Sequence, residues 1–79
     1  MLEKVLSGLA DANIRFLELR KLILSLGFTE RIKGDHFIYS KTGITEIVNI
    51  QPLNNGKAKP YQVKQIRNLI HKYKLNKDK

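Results

Sequence analysis

A chain of 79 residues with 42% hydrophobic residues, no cysteine, two histidines and a net charge of +8 has room for a single domain. It can build neither a disulfide framework nor a thiolate metal site. No apolar run approaches the ~20 residues that span a bilayer, and residues 1–6 alternate charge with apolar side chains instead of forming a signal-peptide core, so a cytoplasmic protein with no membrane partner is expected.

A short amphipathic piece, residues 2–9, precedes a break at Ser7-Gly8 and the polar run Asp11-Ala12-Asn13. A stronger helix is predicted over residues 16–26. There Phe16, Leu19, Leu22, Ile23 and Leu26 recur at three- and four-residue steps and make one apolar stripe. Leu17 and Leu24 lie off that stripe and are expected to hold the N-terminal piece, and Gly27 suits the left-handed residue that ends a helix. Three extended runs follow, residues 28–33, 36–40 and 44–50, punctuated by Gly34-Asp35 and Lys41-Thr42-Gly43. Turns this short make neighbouring strands antiparallel, so a three-stranded meander is predicted. A loop over residues 51–59 carries Pro52, Asn54-Asn55-Gly56 and two lysines. Pro60 fits the first turn of a second helix, residues 61–73, where its missing N–H costs nothing. Val63, Ile66, Leu69, Ile70 and Tyr73 face inward on that helix, and residues 76–79 read as a disordered polar tail. The whole is an α+β fold of order α-β-β-β-α, an antiparallel sheet with two helices on one face closing a single core.

The charge is one-sided. Residues 1–50 hold seven Lys/Arg against six Asp/Glu, whereas residues 51–79 hold eight against Asp78 alone. Such a field draws in polyanions and speeds encounter with them. An acidic protein partner or a membrane surface would suit it too, as would a merely solubilising helix face. Lys64, Arg67, His71 and Lys74 recur as one stripe beside the apolar face, close to the Gly56-Lys57-Ala58-Lys59 segment. Lysines just before a helix start add to its free N–H groups and the positive end of its dipole, a combination that binds phosphate.

His36 is the candidate catalytic residue. It follows the Gly34-Asp35 turn, opens the middle strand and stands near Lys33. Histidine alone titrates near neutral pH without a large shift, so it can take or give a proton in phosphoryl transfer. RNA supplies its own nucleophile, the 2′-hydroxyl; a base, an acid and phosphate-neutralising cations then suffice without a metal or other cofactor. A lone histidine at a strand start is, on residue type, more often structural than catalytic. His71 on the basic stripe reads as solvated, and Tyr39, Tyr61 and Tyr73 read as packed side chains rather than base-stacking platforms. The acidic residues show no metal-ligand or paired-carboxylate spacing.

Two runs carry a resemblance. Leu19-Arg20-Lys21-Leu22-Ile23-Leu24-Ser25-Leu26-Gly27-Phe28 followed by Arg31-Ile32-Lys33-Gly34-Asp35-His36-Phe37-Ile38-Tyr39 resembles the HicA toxins, with their helix ending in Leu-Gly-Phe, a basic strand, Gly-Ser-His and an apolar strand. Ile50-Gln51-Pro52 and the stretch from Gly56 to Arg67 resemble the final strand, basic loop and helix of that family. The resemblance covers residues 14–75, leaving residues 1–13 as an N-terminal extension. It implies a double-stranded-RNA-binding-domain-like fold, ribonuclease activity on mRNA and neutralisation by a HicB-like antitoxin. The family's active histidine falls on His36, and its preceding serine is Asp35 here. An aspartate can orient the ring and stabilise its charged form, and it also sets negative charge near an incoming phosphate.

The reading that follows is the toxin of a type II toxin–antitoxin system, monomeric when free. It would be a metal-independent endoribonuclease with His36 as general acid or base and Lys33, Lys57, Lys59, Lys64 and Arg67 holding RNA. The alternative is a non-catalytic RNA-binding module of the same fold, with His36 structural or touching a 2′-hydroxyl.

Overall fold

A computed structural model describes residues 1–77. Its elements run in the order helix α1 (Leu2–Ser7), a 3-10 turn (Asp11–Asn13), helix α2 (Phe16–Ser25), strands β1 (Thr29–Lys33), β2 (His36–Lys41) and β3 (Ile44–Ile50), helix α3 (Pro60–Tyr73), and a closing 3-10 turn (Leu75–Lys77). The expected α-β-β-β-α layout is present. Of the tail expected to be disordered, Asn76 and Lys77 fall in the closing turn, and residues 78–79 lie outside the described residues.

Each boundary has a local cause. Gly27, at φ 94°, takes the left-handed conformation that terminates α2, which a side chain with a Cβ would resist. Pro60 opens α3 from an extended Lys59. The three strands form one antiparallel sheet in the order β1-β2-β3, with Lys33 opposite His36 across the two-residue turn. On the far side Phe37 pairs with Ile50 and Ile38 with Asn49 before the β2–β3 register slips between Tyr39 and Lys41.

Alternation then decides what each face carries. Phe37, Tyr39, Val48 and Ile50 point to the helices and join the stripes of α2 (Phe16, Leu19, Leu22, Ile23) and α3 (Val63, Ile66, Leu69, Ile70) in one core. Phe16 meets Phe37 edge to face at 4.8 Å between centroids. The N-terminal piece corrects an expectation. Leu17 and Leu24, expected to hold it, are 64% and 39% exposed, and α1 packs on α3 instead. Val5 enters the common core while Leu2 and Leu6 lean on it. Val5, fully buried, anchors α1 there, and the Val5 carbonyl accepts from Arg67 of α3.

The loop between β3 and α3 is tied to the start of α2. Phe16 N–H donates to Gly56 O and Ala58 N–H to Ile14 O, so the turn at Gly56 supplies the first helical N–H of α2 with an acceptor, as a cap would. Buried Ala58 holds the loop down.

Two polar ties fasten the helices to the sheet. Arg20 of α2 donates to both oxygens of Glu30 at 2.7 and 2.8 Å, and buried Tyr39 donates to the same carboxylate at 2.7 Å. Arg20 holds the Glu30 carboxyl below its usual range, with Tyr39 adding to the effect, and burial pushes the Tyr39 phenol well up. At the other end Glu46 of β3 accepts from Lys72 at 2.6 Å and from Tyr73 at 2.5 Å. Those bonds, the lysine's first, bring the Glu46 carboxyl down from 4.5 to about 2.

A carboxylate whose pKa is depressed by folding contributes stability that is fully present above its unfolded value and is lost as pH falls through the folded one. For Glu46 the window runs from pH 4.5 down to about pH 2. The urea midpoint of the wild type should fall across that interval, and Glu46→Gln should lower the midpoint at pH 7 and flatten the fall. Parallel wild-type and mutant curves between pH 5 and pH 2 would show that the tie contributes nothing.

Candidate active site and nucleic-acid interface

The alternation that sends Phe37 and Tyr39 into the core sends His36 and Ile38 out, onto the sheet face that no helix covers. Arg31 and Lys33 of β1 and Asn49 of β3 share that face by register. Lys33, an expected RNA contact, stands directly across from His36. The His36 side chain is 48% exposed, enough for a ligand to reach the ring while one edge rests on protein.

Both ring nitrogens have neighbours. Nδ1 lies 3.2 Å from Asn49 Oδ1. Nε2 lies 3.7 Å from Asp35 Oδ1, too long for a hydrogen bond but close enough for carboxylate and ring to attract whenever the ring is protonated. The other Asp35 oxygen accepts from Gln51 Nε2 at 3.0 Å, and Gln51 Oε1 accepts from Lys59 Nζ at 3.2 Å. The Gln51 hydrogen bond above all, with the charges of His36 and Lys59 behind it, holds the Asp35 carboxyl below the ordinary carboxylate range. Asp35 is therefore ionised at neutral pH. Its negative charge is answered on the far side by an amide and, through it, an ammonium.

This chain of contacts rests on Gln62, whose amide side chain is buried. Its Oε1 accepts the Gln51 N–H and its Nε2 donates to the Asn49 carbonyl, both at 3.2 Å. Gln62 is the third residue of α3, where a glutamine ordinarily reaches back to its own N-cap. Here it reaches across to β3 and fixes the backbone on either side of Ile50. A buried amide with both ends satisfied is firmly placed, since losing either bond would leave a desolvated polar group.

The expected basic residues do not all gather. Lys33 and Lys59 sit on either side of His36, the second through Gln51. Lys57 reaches Asn13 Oδ1 at 2.9 Å, and Lys64 is exposed on α3. Arg67, expected on the same surface, is committed elsewhere. It donates to both oxygens of Asp11 at 3.0 and 3.1 Å and to the Val5 carbonyl at 3.1 Å, tying α1 and the first 3-10 turn to α3. Its guanidinium also lies 3.3 Å from where a Cβ on Gly8 would be, at φ 72°, so that glycine makes the close approach possible. Of the three tyrosines only Tyr61 is exposed, at 67%; Tyr39 and Tyr73 are held by Glu30 and Glu46. Among the described residues no three His, Cys, Asp or Glu side chains are grouped to hold a metal ion, and no helix is long and apolar enough to cross a membrane.

Sequence reasoning missed Asn49, Gln51 and Gln62. A signal for Asn49 existed: with Ile44, Glu46, Val48 and Ile50 facing in, period two places it outward like His36. Nothing local marks Gln51 or Gln62, whose partners are 8 to 16 residues away.

A family model described as the HicA toxin of bacterial toxin–antitoxin matches residues 17–74. No curated protein and no solved structure matches the chain.

The Arg67–Asp11 pair is mostly shielded, with side chains 16% and 21% exposed. Arg67→Met keeps the aliphatic stem and strands Asp11 and the Val5 carbonyl. It should cost about 2 kcal/mol, about 10 °C in Tm for a domain of this size. Lys64→Ala should stay within about 0.5 kcal/mol of wild type. Equal melting of Arg67→Met and wild type would make Arg67 a free surface cation after all.

Proposed function

This chain belongs to the HicA toxin family of bacterial toxin–antitoxin systems, and from that premise we propose that it is a toxin that cleaves mRNA in the cytoplasm, with His36 moving the proton and no metal taking part. A HicB-like antitoxin neutralises it. The observation that carries the reading is the half-exposed His36 ring on the uncovered sheet face, standing between Lys33 and the Asp35–Gln51–Lys59 chain.

In this reading RNA lies across the turn end of the β1–β2 hairpin. Lys33 and Lys59 neutralise the phosphate beside the ring, and Lys57 and Lys64 hold the backbone further along. The 2′-oxygen attacks the adjacent phosphorus as the bond to the 5′-oxygen breaks. His36 Nε2 either takes the proton from the 2′-hydroxyl or delivers one to the departing 5′-oxygen. Asp35 stabilises the ring while it is charged and, bound to Gln51, keeps its carboxylate from swinging into the phosphate site. Arg67 serves by holding α3 to the N-terminal segment and makes no RNA contact.

His36→Ala should abolish growth inhibition on expression in bacteria and reduce RNA cleavage by roughly 10²–10⁴-fold, with an unchanged melting temperature because the ring leans on the surface. Cleavage by the wild type should persist in EDTA. A mutant as fast as wild type sinks the assignment of His36, and loss of activity in EDTA restored by magnesium sinks the metal-independent step.

Binding should weaken steeply with salt, as lysine–phosphate contacts release counterions. Removing Lys57, Lys59 or Lys64 should reduce the log–log salt slope by roughly 0.7–0.9 for each phosphate no longer neutralised. Arg67→Met, measured well below its melting temperature, should leave that slope where it was. An equal reduction for Arg67→Met would mean that it does meet phosphate.

A further inference from the structure

The contact between Asn49 and His36 bears on which ring nitrogen does the chemistry. We propose that Asn49 is a positioning residue that fixes His36 as the tautomer carrying hydrogen on Nδ1, so that Nε2 alone exchanges a proton with RNA. The proposal deepens the ribonuclease reading and rests on it.

A neutral imidazole carries one hydrogen, and whichever group the other nitrogen faces decides where it sits. The amide oxygen that Asn49 presents to Nδ1 at 3.2 Å can only accept, so Nδ1 is the donor in the neutral and the charged ring alike. Nε2 is left to gain or lose the proton. Among the other groups facing the ring only the Asp35 carboxylate bears on the tautomer, favouring hydrogen on Nε2 through charge from beyond hydrogen-bond distance. The rest act on the charge of the ring. Lys33 opposes it from β1, and Asp35 stands 3.7 Å from Nε2 on the turn. From β3, Gln51 reaches the ring only through Asp35, and from the start of α3 Lys59 only through Gln51. None of them offers Nδ1 an acceptor.

Asn49 holds its place for a reason built into the core. Its own carbonyl accepts from the buried Gln62 amide, and the Gln51 N–H two residues on donates to the same side chain. The backbone that carries the asparagine is thereby clamped from the inner side of the sheet, while the side chain acts on the outer side. Gln62 thus places both partners of the catalytic corner, Asn49 on Nδ1 and Gln51 on Asp35, by two hydrogen bonds to one helix residue.

The experiment reads the tautomer without RNA. In ¹⁵N-labelled protein above the titration of the ring, the nitrogen shifts of His36 in the wild type should report hydrogen on Nδ1. Asn49→Ala should move the ring toward the Nε2–H form that free histidine prefers, and Asn49→Asp, which keeps an acceptor at the same place, should restore Nδ1–H. On RNA, Asn49→Ala should lower kcat about ten- to a hundredfold, the usual range for loss of a residue that orients another. Its KM and melting temperature should be nearly unchanged, because Asn49 is exposed. A wild-type ring protonated on Nε2, or Asn49→Ala cleaving at the wild-type rate, overturns the proposal. A wild type that cleaves with the wrong tautomer overturns only this proposal, whereas one that cleaves no RNA overturns it together with the ribonuclease reading.

Discussion

Both long helices lie on the same side of a three-stranded sheet, and that constraint sets most of what the molecule can do. A sheet covered on one face must alternate apolar and polar residues along every strand. The strands obey with Phe37, Tyr39, Val48 and Ile50 inward. The uncovered face is then free for chemistry, and His36 reaches it because it is one residue out of phase with Phe37. A one-residue slip of register would bury the histidine and expose the phenylalanine. The two-residue turn at Gly34-Asp35 prevents such a slip by fixing Lys33 opposite His36.

A domain this small has little core to spare, and polar ties supply part of the cohesion that apolar area supplies in larger proteins. Arg20, Glu30 and Tyr39 join α2 to the sheet, Glu46, Lys72 and Tyr73 join α3 to it, and Arg67 with Asp11 joins the N-terminal segment to α3. Each tie places a charge where its partner removes it from the surface field. The net charge is unchanged by such pairing, but Arg67 and Lys72 are less available to a polyanion than their place in the sequence suggests. Arg67 is absorbed by Asp11 and Lys59 is half-buried against Gln51, whereas Lys33 and Lys64 remain exposed.

Gln62 connects the core to the site. Its position at the start of α3, set by Pro60, brings a buried amide against the last residues of β3, and the outer-face partners of His36 and Asp35 are carried on those residues. The helix that supplies the lysine-bearing N-terminus therefore also determines the geometry of the histidine. Substitutions that shift the start of α3 should be felt at a ring on the opposite face of the sheet.

The sequence by itself determined the element order, the turn residues, the apolar stripes of α2 and α3 and the position of His36 at a strand start, because period, turn chemistry and proline placement are local properties written over a few residues. It also determined that the charge excess lies in the last third of the chain. Only the tertiary structure decided which cations stay free. A guanidinium on a helix stripe looks the same whether it faces solvent or an aspartate 56 residues away, and Arg67 faces Asp11. It likewise decided that α1 docks on α3 rather than on Leu17 and Leu24. The partners of His36 became legible only once strand pairing had set Asn49 beside it, 13 residues on in the chain. Hydrogen bonds between side chains so far apart depend on register and helix placement, which no short stretch of sequence encodes.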